Sequence, residues 1–162
     1  MPSQPKLKHV TQRPRECILA TIACIRGIPY SKVRAYANRR ARARAYRDYA
    51  DLFPLGDLAM RATLIDITTR FGFRPQPFLL YHGTRYDRRP WRALATVRPA
   101  TLWGTGMVFT HTGVGSHVVA FQDGIVYDSA FPKSLAASDW RDIRLESGMG
   151  YVCKIVRAYN RR

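Results

Sequence analysis

No stretch of this chain approaches the ~18 uninterrupted apolar residues that a membrane-spanning helix requires, so no transmembrane segment is expected. Cysteine is scarce and odd in number. The three thiols, Cys17, Cys24 and Cys153, follow no framework spacing. That argues against a disulfide scaffold and fits a reducing compartment. The stretch from Met1 to His9 has no apolar h-region, and no signal peptide is read there. The expected location is the cytoplasm, with a virus or phage particle as the other setting. Metal and nucleotide signatures are missing too. There is no CxxC, no HExxH, no GxGxxG and no P-loop. His111 and His117 alone do not make a metal site, and the glycines near 104–106 and 113–115 read as turns. No cofactor or metal is expected.

Acidic residues are also few. Eleven Asp and Glu face 27 Lys and Arg, for a net charge of +16. A surface so basic concentrates acidic partners: nucleic acid, an anionic membrane or an acidic protein. A merely solubilising charge is the alternative, and charge says nothing about fold.

What is present is enough for one folded domain spanning residues 1–162. The chain is 46% hydrophobic and 23% charged, and its length supports a core without staples. Residues 1–15 are polar and basic, and the first eleven are expected to form an extended basic arm. Residues 17–26 are apolar on every face until Arg26, so they predict a helix buried all round, with Gly27 as its stop. A second helix is expected over residues 30–51, with Arg40, Arg44 and Asp48 on one stripe. A third is expected over residues 57–71, capped by Asp57 and ended by Gly72, with Leu58, Ala62, Ile65 and Phe71 inward. Short strands follow at Phe78–Tyr81, Ala100–Trp103, Gly106–Thr110, Ser116–Phe121, Ile125–Ser129 and Gly150–Val156. Helices first and antiparallel strands after them predict an α+β fold.

Three residue types in this order carry chemistry. Cys17 opens the apolar helix, where the positive end of the helix dipole stabilises a thiolate. Glu16 beside it opposes that unless it points away. His117 stands at the mouth of a strand. Asp123-Gly124 suits a two-residue type I′ turn. That turn pairs Gln122 with Ile125, puts Val119 opposite Asp128, and makes His117 and Asp128 diagonal neighbours on one face with Cα atoms ~7–8 Å apart. A carboxylate there orients the imidazole. A three-residue turn would put the two on opposite faces. Gln12, upstream of Cys17, has a side-chain amide suited to a developing oxyanion, with the Cys17 N–H as second donor. Each residue alone has a plainer reading: a buried thiol, a satisfied core histidine, a solvated glutamine.

Together these stretches resemble the papain-like cysteine peptidases, most closely the bacteriocin-leader (double-glycine) peptidases of family C39 and their relatives. Gln12…Cys17 and the apolar helix are similar to the family's glutamine–cysteine opening. Gly27-Ile-Pro-Tyr-Ser-Lys-Val33 and Gly56-Asp-Leu…Thr69-Arg-Phe-Gly-Phe73 resemble the segments that follow it. His117-Val-Val-Ala-Phe…Gly124-Ile-Val-Tyr-Asp128 resembles its histidine strand and aspartate hairpin. The chain departs from the family with Ile18 in place of glycine, a Gln12–Cys17 gap one residue short, and Ser129 where proline is common. The resemblance implies a papain-like fold with a buried central helix starting at the nucleophile. It also implies cleavage of peptide or amide bonds, with Cys17 attacking, His117 moving the proton, Asp128 orienting His117 and Gln12 holding the oxyanion. The implied partner is a peptide or protein substrate.

The rival from another class is a non-catalytic papain-fold protein for binding or assembly. Arg39, Arg40, Arg42 and Arg44, with Arg85, Arg88, Arg89, Trp91, Tyr81 and Tyr86, offer phosphate and base-stacking contacts to nucleic acid. The four arginines splay around a helix rather than lining one stripe, so a solvated helix face is their plainer reading.

Overall fold

The computed structural model describes residues 6–52, 58–73, 104–112, 115–144 and 150–154. The architecture is α+β: helices first, then a small antiparallel sheet. The helices are α1 (Cys17–Arg26), α2 (Tyr30–Arg42) and α3 (Leu58–Arg70), with a 3₁₀ turn at Tyr49–Leu52. Strands β1 (Thr105–Thr112), β2 (Gly115–Gln122), β3 (Ile125–Tyr127) and β4 (Leu135–Ala136) follow. Helix α4 (Ala137–Arg144) and strand β5 (Gly150–Lys154) complete the order. Among the described residues the sheet runs β4-β3-β2-β1-β5, every neighbour antiparallel. No helix of the described residues is long and apolar enough to cross a membrane.

Helix α1 is the centre of the molecule. Seven consecutive residues, Ile18 to Cys24, are buried, as a run without a polar face requires. Its one hydroxyl there, Thr21, donates to the Val118 carbonyl of β2 at 3.0 Å. Burying Thr21 is therefore compatible with the rule that an interior polar group must find a partner. Strand β2 alternates as a two-faced strand should. Val118 joins the core of α1, α2 and α3, and Ala120 meets Cys24 of α1. Val119 and Phe121 meet Val126, Ala137 and Trp140 on the other side. The sheet is thus covered by α1 on one face and by α4 on the other.

Three helices close in the same way. An amide shortly past the helix bonds back across six residues, and the amide before it across a tighter turn, with that preceding residue at positive φ. For α1 the bonds are Ile28 to Ala23 and Gly27 to Cys24, for α3 Phe73 to Thr68 and Gly72 to Thr69. For α2 they are Tyr46 to Ala41 and Ala45 to Arg42, with Ala45 at φ 65°. This closure corrects the expected second helix over residues 30–51, which ends at Arg42. Arg44 and Asp48 consequently do not continue a stripe from Arg40. Asp48 instead accepts the amides of Ala50 (2.9 Å) and Asp51 (3.3 Å) in the 3₁₀ turn.

Helix α3 packs Phe71 against the core as expected, the side chain of Leu58 lies outside the described residues, and the rest of the inward face differs from Ala62 and Ile65. Thr63, Ile67 and Thr68 are buried, with Ala59, Met60, Leu64 and Phe71 packed beside the core. Thr63 and Thr68 bond back to the carbonyls of Ala59 and Leu64, both at 2.8 Å, and so bury with their hydroxyls partnered. Strand β3 stops at Tyr127, short of the expected Ser129, because Asp128 and Ser129 turn away to other partners. The expected strands Phe78–Tyr81 and Ala100–Trp103, the Asp57 cap and Val156 lie outside the described residues.

The hairpin between β2 and β3 has the two-residue turn. Gln122 pairs with Ile125, Phe121 with Val126 and Ala120 with Tyr127. Asp123 and Gly124 are both at positive φ, 47° and 80°, as a type I′ turn demands. A Cβ at Gly124 would meet no atom, so only backbone strain opposes it. Gly124→Ala is expected to destabilise the chain by about 1–2 kcal/mol, read as a lower urea midpoint with an unchanged slope.

Candidate active site

The hairpin register decides where the site's side chains meet. His117, near the start of β2, and Asp128, one residue past β3, are bonded, His117 Nε2 to Asp128 Oδ1 at 2.7 Å. The Asp128 side chain is fully buried, and that of His117 is 18% exposed. A buried carboxylate needs several donors, and Asp128 has them. The Ala130 amide donates to Oδ1 at 2.9 Å and the Trp140 indole N–H to Oδ2 at 2.9 Å. Burial alone would raise the Asp128 pKa, but His117, Trp140 and Ala130 outweigh it and hold the group down at about 2.

The imidazole has a second polar neighbour. Burial lowers the His117 pKa, while hydrogen bonds to Asp128 and Cys17, and the negative charge of each, raise it, for a net rise to about 9. Cys17, His117 and Asp128 are thus contiguous. Cys17 is the first residue of α1 and is partly exposed, whereas Cys24 is buried. Burial pushes the Cys24 thiol up to about 12, the behaviour of an inert core thiol.

Glu16 does not oppose Cys17. It makes no side-chain cap to α1 and turns to α2, where it accepts from the Tyr30 hydroxyl and from Arg34 Nε at 3.0 Å. Burial, then the bond to Glu16, push the Tyr30 hydroxyl up to about 12, so Tyr30 donates throughout the working range. The Arg34 guanidinium neutralises the buried carboxylate one residue from the thiol. Buried Tyr49 belongs to the same group: burial raises its pKa, and the charges of Cys17, Glu16 and Tyr30 add to the effect.

Gln12 is held in place rather than solvated. Its amide N–H donates to the Ser129 carbonyl at 3.2 Å, and the Ser129 hydroxyl donates to its Oε1 at 2.5 Å. The acceptor end of the side-chain amide is engaged, which leaves Nε2 as its donor end. The first intrahelical bonds of α1 run from Leu19 and Ala20 to the Glu16 carbonyl, so the Cys17 N–H lies ahead of that ladder. The arm before Gln12 is docked along the hairpin. The Leu7 amide donates to Gln122 Oε1 at 2.9 Å, and His9 Nε2 lies 3.0 Å from the Asp128 carbonyl.

Sequence reasoning missed several of these partners. Trp140 stands on α4, a helix with no expected counterpart. A lone tryptophan after Ser138-Asp139 carries no signal that it reaches a carboxylate twelve positions back. Ser129 replaces the proline of the resembled pattern, and its hydroxyl holds Gln12. The arginine cluster is only partly a free surface. Arg40 and Arg44 both bond Asp66 of α3, at 2.6–2.8 Å, and together they lower its pKa against the effect of burial. Arg39 lies over the Tyr36 ring at 5.2 Å, and Arg42 donates to the Arg47 carbonyl at 3.2 Å. Tyr81, Arg85, Tyr86, Arg88, Arg89 and Trp91 lie outside the described residues. No cluster of three or more His, Cys, Asp or Glu able to hold a metal occurs among the described residues.

Comparison of the chain with protein-family models, with curated proteins and with solved structures finds no match in any of the three.

Linkage fixes how the His117–Asp128 pair depends on pH. The folded His117 pKa lies above its ordinary value of 6.5, so folded protein binds the extra proton between about 6.5 and 9. Its stabilisation is complete below 6.5 and is lost as pH rises through 9. The folded Asp128 pKa lies below its ordinary 3.8, so its stabilisation is complete above 3.8 and is lost as pH falls toward 2. The pair therefore stabilises most between about 4 and 6.5. Histidine NMR titration is expected to place His117 near 9 and, in Asp128→Asn, clearly lower. Trp140→Phe leaves Oδ2 without its indole donor and is expected to cost about 1–3 kcal/mol, read by urea unfolding at pH 6.

Proposed function

We propose that the chain is a cysteine peptidase-like hydrolase that cleaves peptide or amide bonds through Cys17, His117 and Asp128 in a papain-like arrangement. The observation that carries the reading is the contiguous order of thiol, imidazole and buried carboxylate, with the imidazole bonded to Asp128 and neighbouring Cys17. His117 Nε2 serves Asp128, so Nδ1 is the nitrogen left for the thiol. The Cys17 thiolate attacks the acyl carbonyl carbon, forming a C–S bond and moving the carbonyl electron pair to oxygen. The oxyanion is held by the Gln12 side-chain amide and the Cys17 N–H. His117 then gives its proton to the leaving amine as the C–N bond breaks. Water, deprotonated by His117, resolves the thioester and frees Cys17. Asp128 keeps the imidazole in one tautomer and orientation.

Two of the three departures from the papain-like pattern, Ser129 and Ile18, are compatible with this assignment. Ser129, in place of proline, holds Gln12 by its acceptor end, so that Nε2 is the end presented as donor. Ile18, in place of glycine, is buried against the core of α1 and leaves the Cys17 N–H unaltered. The binding reading has less in its favour, because Arg40 and Arg44 are committed to Asp66.

A mixture of unstructured peptides incubated with the protein at pH 7–8 and read by mass spectrometry tests this. New termini are expected, abolished by Cys17→Ala and reduced about 10²-fold or more by His117→Ala. Cleavage unchanged by Cys17→Ala, or no cleavage by a folded parent protein, contradicts the proposal.

A further inference from the structure

The loop that delivers Cys17 carries charge that no step above uses. Between the docked arm and α1 the chain reads Gln12-Arg-Pro-Arg-Glu-Cys17. Arg13 and Arg15 are both exposed. Among the described residues neither is bonded to an acidic side chain. The acid between Arg15 and Cys17, Glu16, is buried and taken by Tyr30 and Arg34, so it cancels none of the loop's charge. The loop is also fixed in place. The Gln12 amide is tied to Ser129, the Arg13 amide to the Tyr30 hydroxyl at 3.3 Å, and the Glu16 amide closes a turn on the Arg13 carbonyl at 3.1 Å. Arg15 lies two residues from Cys17, within ~7 Å between Cα atoms, and Arg13 four residues away, within ~14 Å. An extended arginine side chain spans the shorter gap and about half of the longer one.

We propose that Arg13 and Arg15 form a cationic lip beside Cys17 that selects acidic peptide substrates, with a substrate carboxylate meeting a guanidinium on the loop next to the scissile bond. The inference rests on the cysteine-peptidase reading and assigns its substrate class. A guanidinium fork pairs a carboxylate through two parallel hydrogen bonds, and a rigid loop spends little entropy in presenting it.

Two probes of nearly equal size separate charge from shape. Iodoacetate and iodoacetamide both alkylate a thiolate, which forms the C–S bond as iodide leaves, but only iodoacetate is an anion. Their second-order rates at Cys17 are compared by peptide mass spectrometry at low salt, in the parent, in Arg13→Gln/Arg15→Asn, in Arg13→Lys/Arg15→Lys, and in Arg70→Gln, which removes an exposed charge from α3. The protonated His117 favours the anion in every variant, so the readout is the change in the iodoacetate-to-iodoacetamide ratio. The neutral double variant is expected to lower that ratio about threefold or more, with the difference shrinking at 0.5 M salt. The lysine pair and Arg70→Gln are expected to keep the parent ratio. An oligo-glutamate peptide is expected to slow iodoacetamide at Cys17 in the parent and not in the neutral double variant. A reactive Cys17 whose ratio and peptide protection are the same in the parent and the neutral double variant overturns the lip alone. A Cys17 in folded parent protein that resists both reagents overturns the peptidase reading, and the lip with it.

Discussion

The buried carboxylate of Asp128 ties the arm, the β2–β3 hairpin and α4 together. An ionised group without exposure is tolerated only when its oxygens are filled by donors. Here the donors come from three places: the imidazole of β2, the amide of the turn after β3 and the indole of α4. The backbone carbonyl of Asp128 and that of Ser129 receive the arm, through His9 and Gln12 respectively. Helix α4, the hairpin and the arm are therefore joined at one residue. If Asp128 moved by one position, its side chain would leave His117, and Trp140 would lose its acceptor in the core of the second sheet face.

A second group of buried charge lies on the other side of Cys17. Glu16 is as buried as Asp128 is, and it is neutralised from α2 rather than from the sheet. The two carboxylates have opposite consequences. Asp128 is turned toward the imidazole and holds its proton. Glu16 is turned away from the thiol and spent on Tyr30 and Arg34. The same functional group thus supports the site in one place and is kept out of it in the other, according to where the side chain points and which partners it finds.

Much of this is legible in the sequence where local rules are strong. Asp123-Gly124 between apolar strands specifies its turn, and the turn fixes the His117–Asp128 register without further information. The burial of α1 follows from an apolar run with no polar face. Gly27 and Gly72 mark helix ends because each takes a positive φ that glycine adopts freely. The end of α2 is illegible for the same reason in reverse, because Ala45 takes that conformation with no glycine to announce it. The inward face of α3 is misread because its threonines satisfy themselves on their own helix. Trp140, Ser129 and the Glu16–Arg34 pair depend on contacts between distant segments, which no spacing in the chain encodes. The α+β class is legible from element order, whereas the arrangement of side chains around Cys17 needs the tertiary structure.

The proposed peptidase activity requires Cys17 and His117 to act as a thiolate–imidazole pair. Its most direct test is the alkylation rate of each cysteine by iodoacetamide as a function of pH, read by peptide mass spectrometry in the parent and in His117→Ala. Cys17 is expected to react selectively near neutral pH, Cys24 to stay inert in folded protein, and His117→Ala to abolish the selectivity of Cys17. A Cys17 that follows the pH profile of an ordinary thiol in both proteins, or one that stays unreactive in both, contradicts the proposal.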